Sequence, residues 1–106
     1  MELTRNETKL MRIFWEAKRP LSRRDIINLN TDNEWDMAAL HSIINNLLRK
    51  GAISEVGFSK EGKSMGRLFA AEYTLQEHIC ELLAPVDEFI DYRQLIRKII
   101  QYGNDW

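Results

Sequence analysis

The chain has 106 residues, 44% of them hydrophobic, and carries 15 Lys/Arg against 16 Asp/Glu for a formal net charge of −1. That length allows one domain, or one small domain with an appendage, and a core small enough that burial by self-association would help it. No run of about 18 apolar residues exists, so no membrane span is expected. The opening MELTRNETKL lacks the apolar stretch of a signal peptide, and a single cysteine, Cys80, excludes an internal disulfide framework and a cysteine metal cluster. A reducing, cytoplasmic location is the expectation.

Thr4 and Glu7 make a T-x-x-E capping box, which predicts the start of a first helix. Leu10, Met11, Phe14 and Trp15 follow at helical spacing and form an inward stripe. In that company Phe14 and Trp15 read as core rather than as a stacking platform for bases. Pro20 cannot continue the helix, so it ends near Lys18 or Arg19.

A second helix starts at Ser22, an N-cap with Asp25 three residues on. Leu21 and Ile26 are placed to staple its start, and Ile26, Ile27 and Leu29 are expected to supply its buried side. Arg23 and Arg24 sit in the first turn, where the helix dipole disfavours cations. Either an external anion such as a phosphate meets the N–H groups there, or the two arginines are simply solvated. Residues 30–34, NTDNE, read as a loop.

Residues 35–51, WDMAALHSIINNLLRKG, are one amphipathic helix with a clear start and stop. Asp36 is the N-cap, Trp35 and Leu40 staple the start, and Lys50 and Gly51 end it. Leu40, Ile43, Ile44, Leu47 and Leu48 form its apolar side. The other side carries His41, Ser42, Asn45, Asn46 and Arg49. A hydrogen-bonding face with almost no acid is what a helix needs to read base edges in a major groove. Taken alone, the same face also suits an ordinary surface helix.

After Gly51 the period changes to two. Residues 52–58 and 67–73 are expected strands, with Phe69, Ala71 and Tyr73 on one face. Between them SKEGKSMG, residues 59–66, reads as a loose basic hairpin tip from which Lys60, Lys63 and Arg67 project. Such a tip is either solvated or, after a helix-turn-helix, a wing that reaches a backbone phosphate.

Thr74 and Glu77 make another T-x-x-E box, opening a fourth helix through Ile79, Leu82 and Leu83. Pro85 suits the first turn of a fifth helix, whose apolar face holds Val86, Phe89, Ile90, Ile96, Ile99 and Ile100, widened by Tyr92 and Leu95, with Gly103 as its stop. An apolar surface of that size marks association. Ile79, Leu82, Leu83, Val86, Phe89, Ile90, Ile96, Ile99 and Ile100 are therefore the expected dimer contacts; the alternative is that these helices fold back on the body.

The fold class expected is mainly α with a small antiparallel β-hairpin: a winged helix-turn-helix over residues 1–74, and helices for dimerisation over 75–106. Residues 1–74 hold 12 Lys/Arg and 10 Asp/Glu, net +2, and residues 75–106 hold 3 and 6, net −3. A mildly basic body with an acidic tail permits DNA binding without demanding it. The residues expected at DNA are Ser22, Arg23 and Arg24 on the second helix, and Met37, His41, Ser42, Asn45, Asn46 and Arg49 on the third. Lys60, Lys63 and Arg67 join them from the hairpin.

No paired carboxylates, Cys/His or Ser/His/Asp constellation stands out, and His41 and His78 lie on different helices. GFSKEGKS ends in G-K-S but lacks the glycine spacing of a phosphate loop. Cys80, beside Ile79, reads as buried packing. No enzymatic activity, cofactor or metal is expected.

These residues together resemble the penicillinase-repressor family, which contains the β-lactamase and methicillin-resistance repressors and a copper-responsive branch. Residues 3–16, LTRNETKLMRIFWE, are similar to its opening L-T-x-x-E-x-x-x-M-x-x-x-W-E. Leu21-Ser22 through Ile26 resembles its second helix. Residues 35–51 resemble W-[SD]-x-x-T-V-x-T-x-L-x-R-L-x-x-K-G, with Trp35, Ile44, Leu47, Lys50 and Gly51 in register. Residues 67–73 resemble its second wing strand, so the likeness covers about 3–74.

The departures fall on the reading face, where Ala39, Ser42 and Asn46 stand in place of threonine, threonine and arginine. Ala39 lacks a hydroxyl and Asn46 lacks a charge, which implies weaker, less salt-dependent binding; Asn45 and Asn46 instead suit adenine. The resemblance implies a homodimeric repressor on inverted-repeat double-stranded DNA, with an unidentified inducer or protease as its control. With Cys80 alone, the copper branch's cysteine-pair sensor is not expected. The alternative is a winged-helix interaction module that does not bind DNA.

Overall fold

The computed structural model describes residues 2–32, 34–61 and 64–105, with side chains described outside 61–65. Among the described residues the order is α1 (Arg5–Ala17), α2 (Arg23–Leu29), α3 (Met37–Lys50), β1 (Ile53–Glu61), β2 (Ser64–Ala71), α4 (Leu75–Leu83), a 3-10 segment (Ala84–Phe89) and α5 (Tyr92–Gly103). Each α-helix starts where a side chain satisfies its first free N–H groups. Thr4 with Glu7, Ser22 with Asp25 and Thr74 with Glu77 form reciprocal capping boxes, and Asp36 accepts from the Ala39 N–H at 2.7 Å. Gly51 ends α3 at φ 77°, a left-handed conformation that favours glycine, and its N–H returns to the carbonyls of Leu47 and Leu48.

The core is built from the expected stripes. Leu10, Met11 and Phe14 of α1 meet Leu40, Ile43, Ile44 and Leu47 of α3, with Leu21, Ile26, Ala52, Ile53 and Phe69 closing it. The second helix contributes less than its sequence suggests. Only Ile26 is buried; Ile27 and Leu29 are 42% and 45% exposed, because a helix of seven residues turns only a narrow face inward.

The strands pair antiparallel as a hairpin, from Ile53↔Ala71 out to Glu61↔Ser64. They run further into the tip than expected, through Ser59, Lys60 and Met65, because ladder hydrogen bonds do not need apolar side chains. The register shifts between Glu55 and Gly57, leaving Val56 as the extra residue of a β-bulge. Leu21 adds an isolated antiparallel bridge: its N–H donates to the Phe69 carbonyl at 2.8 Å, and the Phe69 N–H donates back at 2.9 Å.

The start of α1 and the end of α3 are joined by an ion pair whose carboxylate is buried and whose ammonium is partly exposed. Glu7 is 2% exposed, and Lys50 Nζ lies 2.5 Å from its Oε1. Burial alone pushes the Glu7 carboxyl up; the Lys50 ammonium and the Thr4 N–H outweigh it and hold the group below its ordinary value.

Beyond residue 73 the chain changes character. His78 of α4 packs against Trp15 and Tyr73, with ring centroids 5.5 and 5.7 Å away, and Trp15 Nε1 donates to the Tyr73 carbonyl at 2.9 Å. Past His78 no described residue is buried. Cys80, read from sequence as packing, is exposed. It lies two residues after His78, more than half a helical turn from the face that meets α1.

The expected single fifth helix is interrupted. Residues around Pro85 form the 3-10 segment, Ile90 is extended, and Asp91 caps a new helix by accepting from the Gln94 N–H at 3.2 Å. The extents are 55 × 27 × 22 Å and the radius of gyration is 16.5 Å, against about 13 Å for a compact chain of this length. Among the described residues no helix is long and apolar enough to cross a membrane.

Candidate nucleic-acid interface

The polar side of α3 faces outward, opposite the stripe that fills the core. His41, Ser42, Asn45 and Arg49 are exposed, Met37 is 55% exposed, and Asn46 is half-buried. Arg49 Nη2 donates to the Asn46 Oδ1, so a guanidinium stands one turn from its own backbone, beside position 46.

The start of α2 lies against this face. Arg23 Nη2 sits 2.9 Å from His41 Nδ1, and the Arg23 guanidinium lies 5.8 Å from the centre of the Phe69 ring. Flanking burial, reinforced by the like charge of Arg67, pushes Arg23 below the ordinary guanidinium value. Arg24 is exposed. Ser22 is 1% exposed, and its hydroxyl accepts from the Asp25 N–H at 3.1 Å. It therefore serves the cap and is not presented on the surface beside the arginines. Asp25 is held below the ordinary carboxylate value, first by the Ser22 N–H and further by Arg19.

From the hairpin, Arg67 lies 5.1 Å from the same Phe69 ring and pairs with Glu55 at 3.2 Å. Lys60 is exposed, and Lys63 lies outside the described residues. Arg67, Phe69 and Ala71 alternate along β2, so the face that buries Phe69 toward the core carries Arg67 further out. The structure thus brings Arg23 and Arg67 together over one ring, with His41 beside Arg23; Lys60 lies further out toward the hairpin tip.

Two contacts were not among the expectations. The Leu21–Phe69 bridge fixes the hairpin against α2, and the Arg23–His41 contact couples two helices. The period of β2 pointed toward the first, since Phe69 had to meet something apolar. Nothing local signalled the second.

Three helices followed by a hairpin, with the third helix exposing a polar face, define a winged helix-turn-helix protein. A family profile described as "Penicillinase repressor" matches residues 3–71, and the chain belongs to that family of DNA-binding transcriptional repressors. No curated protein and no solved structure matches the chain.

Proposed function

We propose that the chain works as a cytoplasmic homodimer that represses transcription from an inverted-repeat operator. The body, residues 1–74, would carry the DNA-reading surface, and residues 75–106 would join two copies. The observation that supports this most strongly is the exposed apolar surface beyond His78. Leu82 is 58% exposed, Phe89 80%, Ile96 55% and Ile100 63%. Apolar surface of that extent marks a place of association.

In this reading α3 enters the major groove. His41, Ser42 and Asn45 meet base edges, while Arg23, Arg24, Lys60, Lys63 and Arg67 hold phosphates. Arg49, held by Asn46, supplies a guanidinium beside the position where the family pattern has arginine. Two copies paired through Ile79, Leu82, Leu83, Val86, Phe89, Ile90, Ile96, Ile99 and Ile100 would address half-sites about one turn of DNA apart, roughly 34 Å, or a multiple of it.

Mobility shifts on the DNA upstream of the chain's own gene, at low salt, test the reading. The expected result is a retarded complex that weakens with added salt, on a shallow slope because the reading face carries few charges. Absence of any shift with every upstream fragment overturns it. A dimer by sedimentation in that case supports an interaction module instead.

A further inference from the structure

His41 and Arg23 come from different helices, yet Arg23 Nη2 lies 2.9 Å from His41 Nδ1. A guanidinium has only donors to offer and does not lose its proton in a protein. The ring nitrogen it meets is therefore the acceptor, and the single proton of the neutral imidazole sits on Nε2. Which ring nitrogen of a histidine carries the proton is set by the partner of the other. Here the partner is a guanidinium, which can only donate, so the contact excludes the Nδ1–H form.

We infer that Arg23 is a positioning residue for His41: it holds the imidazole as a neutral Nε2–H donor aimed outward from α3, toward an acceptor on a base. This rests on the DNA-binding reading above. A donor at that place matches guanine O6 and N7, adenine N7 and thymine O4, and it is mismatched with the amino group of cytosine.

The surroundings hold Arg23 to this task. Its guanidinium rests over the fully buried Phe69 ring, which is itself bridged to Leu21, two residues before Arg23. Arg67 lies over the same ring, and Glu55 matches its charge. On α3 the residues one turn from His41 are Met37, Ala38, Ile44 and Asn45, none of them ionisable. The charged groups facing this cluster are therefore Arg23, with Arg24 beside it on α2, and Arg67 with Glu55 on the hairpin.

The experiment has two arms. In the free protein at about pH 8, where imidazoles are neutral, long-range proton–nitrogen correlation spectra read the tautomer of His41. The wild type is expected to show a protonated Nε2, and Arg23→Ala a tautomer mixture. An Nδ1–H ring in the wild type, or unchanged spectra in the variant, overturns the inference whether or not the chain binds DNA.

In the second arm, the wild type selects a half-site from randomised duplexes at the same pH. Single-base variants of that duplex are then titrated with wild type, Arg23→Ala, His41→Gln and His41→Asn. Glutamine carries its amide near the position of the ring Nε2; asparagine carries it near Nδ1. Arg23→Ala and His41→Asn are expected to lose about threefold to tenfold of the preference at one base pair, the worth of one hydrogen bond. His41→Gln keeps most of it. Equal weakening of all duplexes by Arg23→Ala makes it a plain phosphate contact and overturns the inference. If the wild type selects no sequence at all, the DNA-binding reading fails and this inference falls with it.

Discussion

Phe69 and Phe89 place the same side chain in opposite surroundings. Phe69 is 0% exposed, held between the helices of the body and bridged through its backbone to Leu21; Phe89 is 80% exposed at the end of the 3-10 segment. The contrast extends to their neighbours. Leu10, Ile44 and Leu47 of the body are fully buried, whereas Ile79, Ile96, Ile99 and Ile100 of the tail are 45–63% exposed. The tail uses as apolar an alphabet as the body, yet among its described residues His78 alone is buried. Burial of apolar side chains is the main favourable term in folding. The body satisfies it within one chain, and the tail has its apolar surface still available.

That difference breaks most visibly through paired substitutions. Phe69→Ala is expected to destabilise the body by about 4 kcal/mol, the usual result of opening a cavity in a packed core, seen as a lower urea midpoint. Phe89→Asp should leave that midpoint in place. It should instead convert a dimer to a monomer in sedimentation and weaken operator binding about 100-fold, since two linked half-sites gain that much from avidity. A body destabilised by Phe89→Asp would show that the tail folds back, and the contrast would be lost.

The next largest effect concerns Glu7 and Lys50. Lys50→Met leaves a carboxylate buried without its cation and is expected to cost about 3 kcal/mol; Glu7→Met together with Lys50→Met should recover most of the loss. The pH dependence follows from the same group. Folding holds the Glu7 and Asp25 carboxyls below their ordinary values. A depressed carboxyl stabilises the fold above its unfolded value, and that stabilisation is lost as pH falls through the folded value. The urea midpoint should therefore be flat near neutrality and decline on the acid side of about pH 4.5. In Glu7→Gln the decline should be shallower.

Many helix starts, in the body and in the tail, were legible because their signals are local. A capping box spans four residues, and Thr4–Glu7, Ser22–Asp25 and Thr74–Glu77 each mark a helix start. The Glu7–Lys50 pair escapes such reading because its members stand 43 positions apart. A hint was present: Glu7 falls on the stripe of Leu10, Met11 and Phe14, where a carboxylate requires a partner. The Arg23–His41 contact left no such hint, since both residues read as solvated polar groups on separate helices. In the tail, the break before α5 was marked by Asp91, a good N-cap. It is masked in the sequence by apolar residues on both sides that continue a helical period. The exposure of Cys80 depended on which face of α4 meets α1, and that is set by His78 stacking against Trp15 and Tyr73.

The smallest of these effects separates the two regions most cleanly. Thr4 and Thr74 make the same capping box in the body and in the tail. Replacing either by alanine removes about 1 kcal/mol of helix stability. In the body, α1 is locked into the core by Leu10, Met11 and Phe14, so Thr4→Ala should lower the protection of all slowly exchanging amides together. Helix α4 has nine residues, too few to persist without tertiary support. Thr74→Ala should therefore speed hydrogen exchange in residues 75–83 alone, with amides of α1 and α3 unchanged. On the proposed pairing of residues 75–106, the effect should be larger in Phe89→Asp, which would leave α4 without a second copy to cover it. Uniform loss of protection from Thr74→Ala would mean that body and tail unfold as one unit.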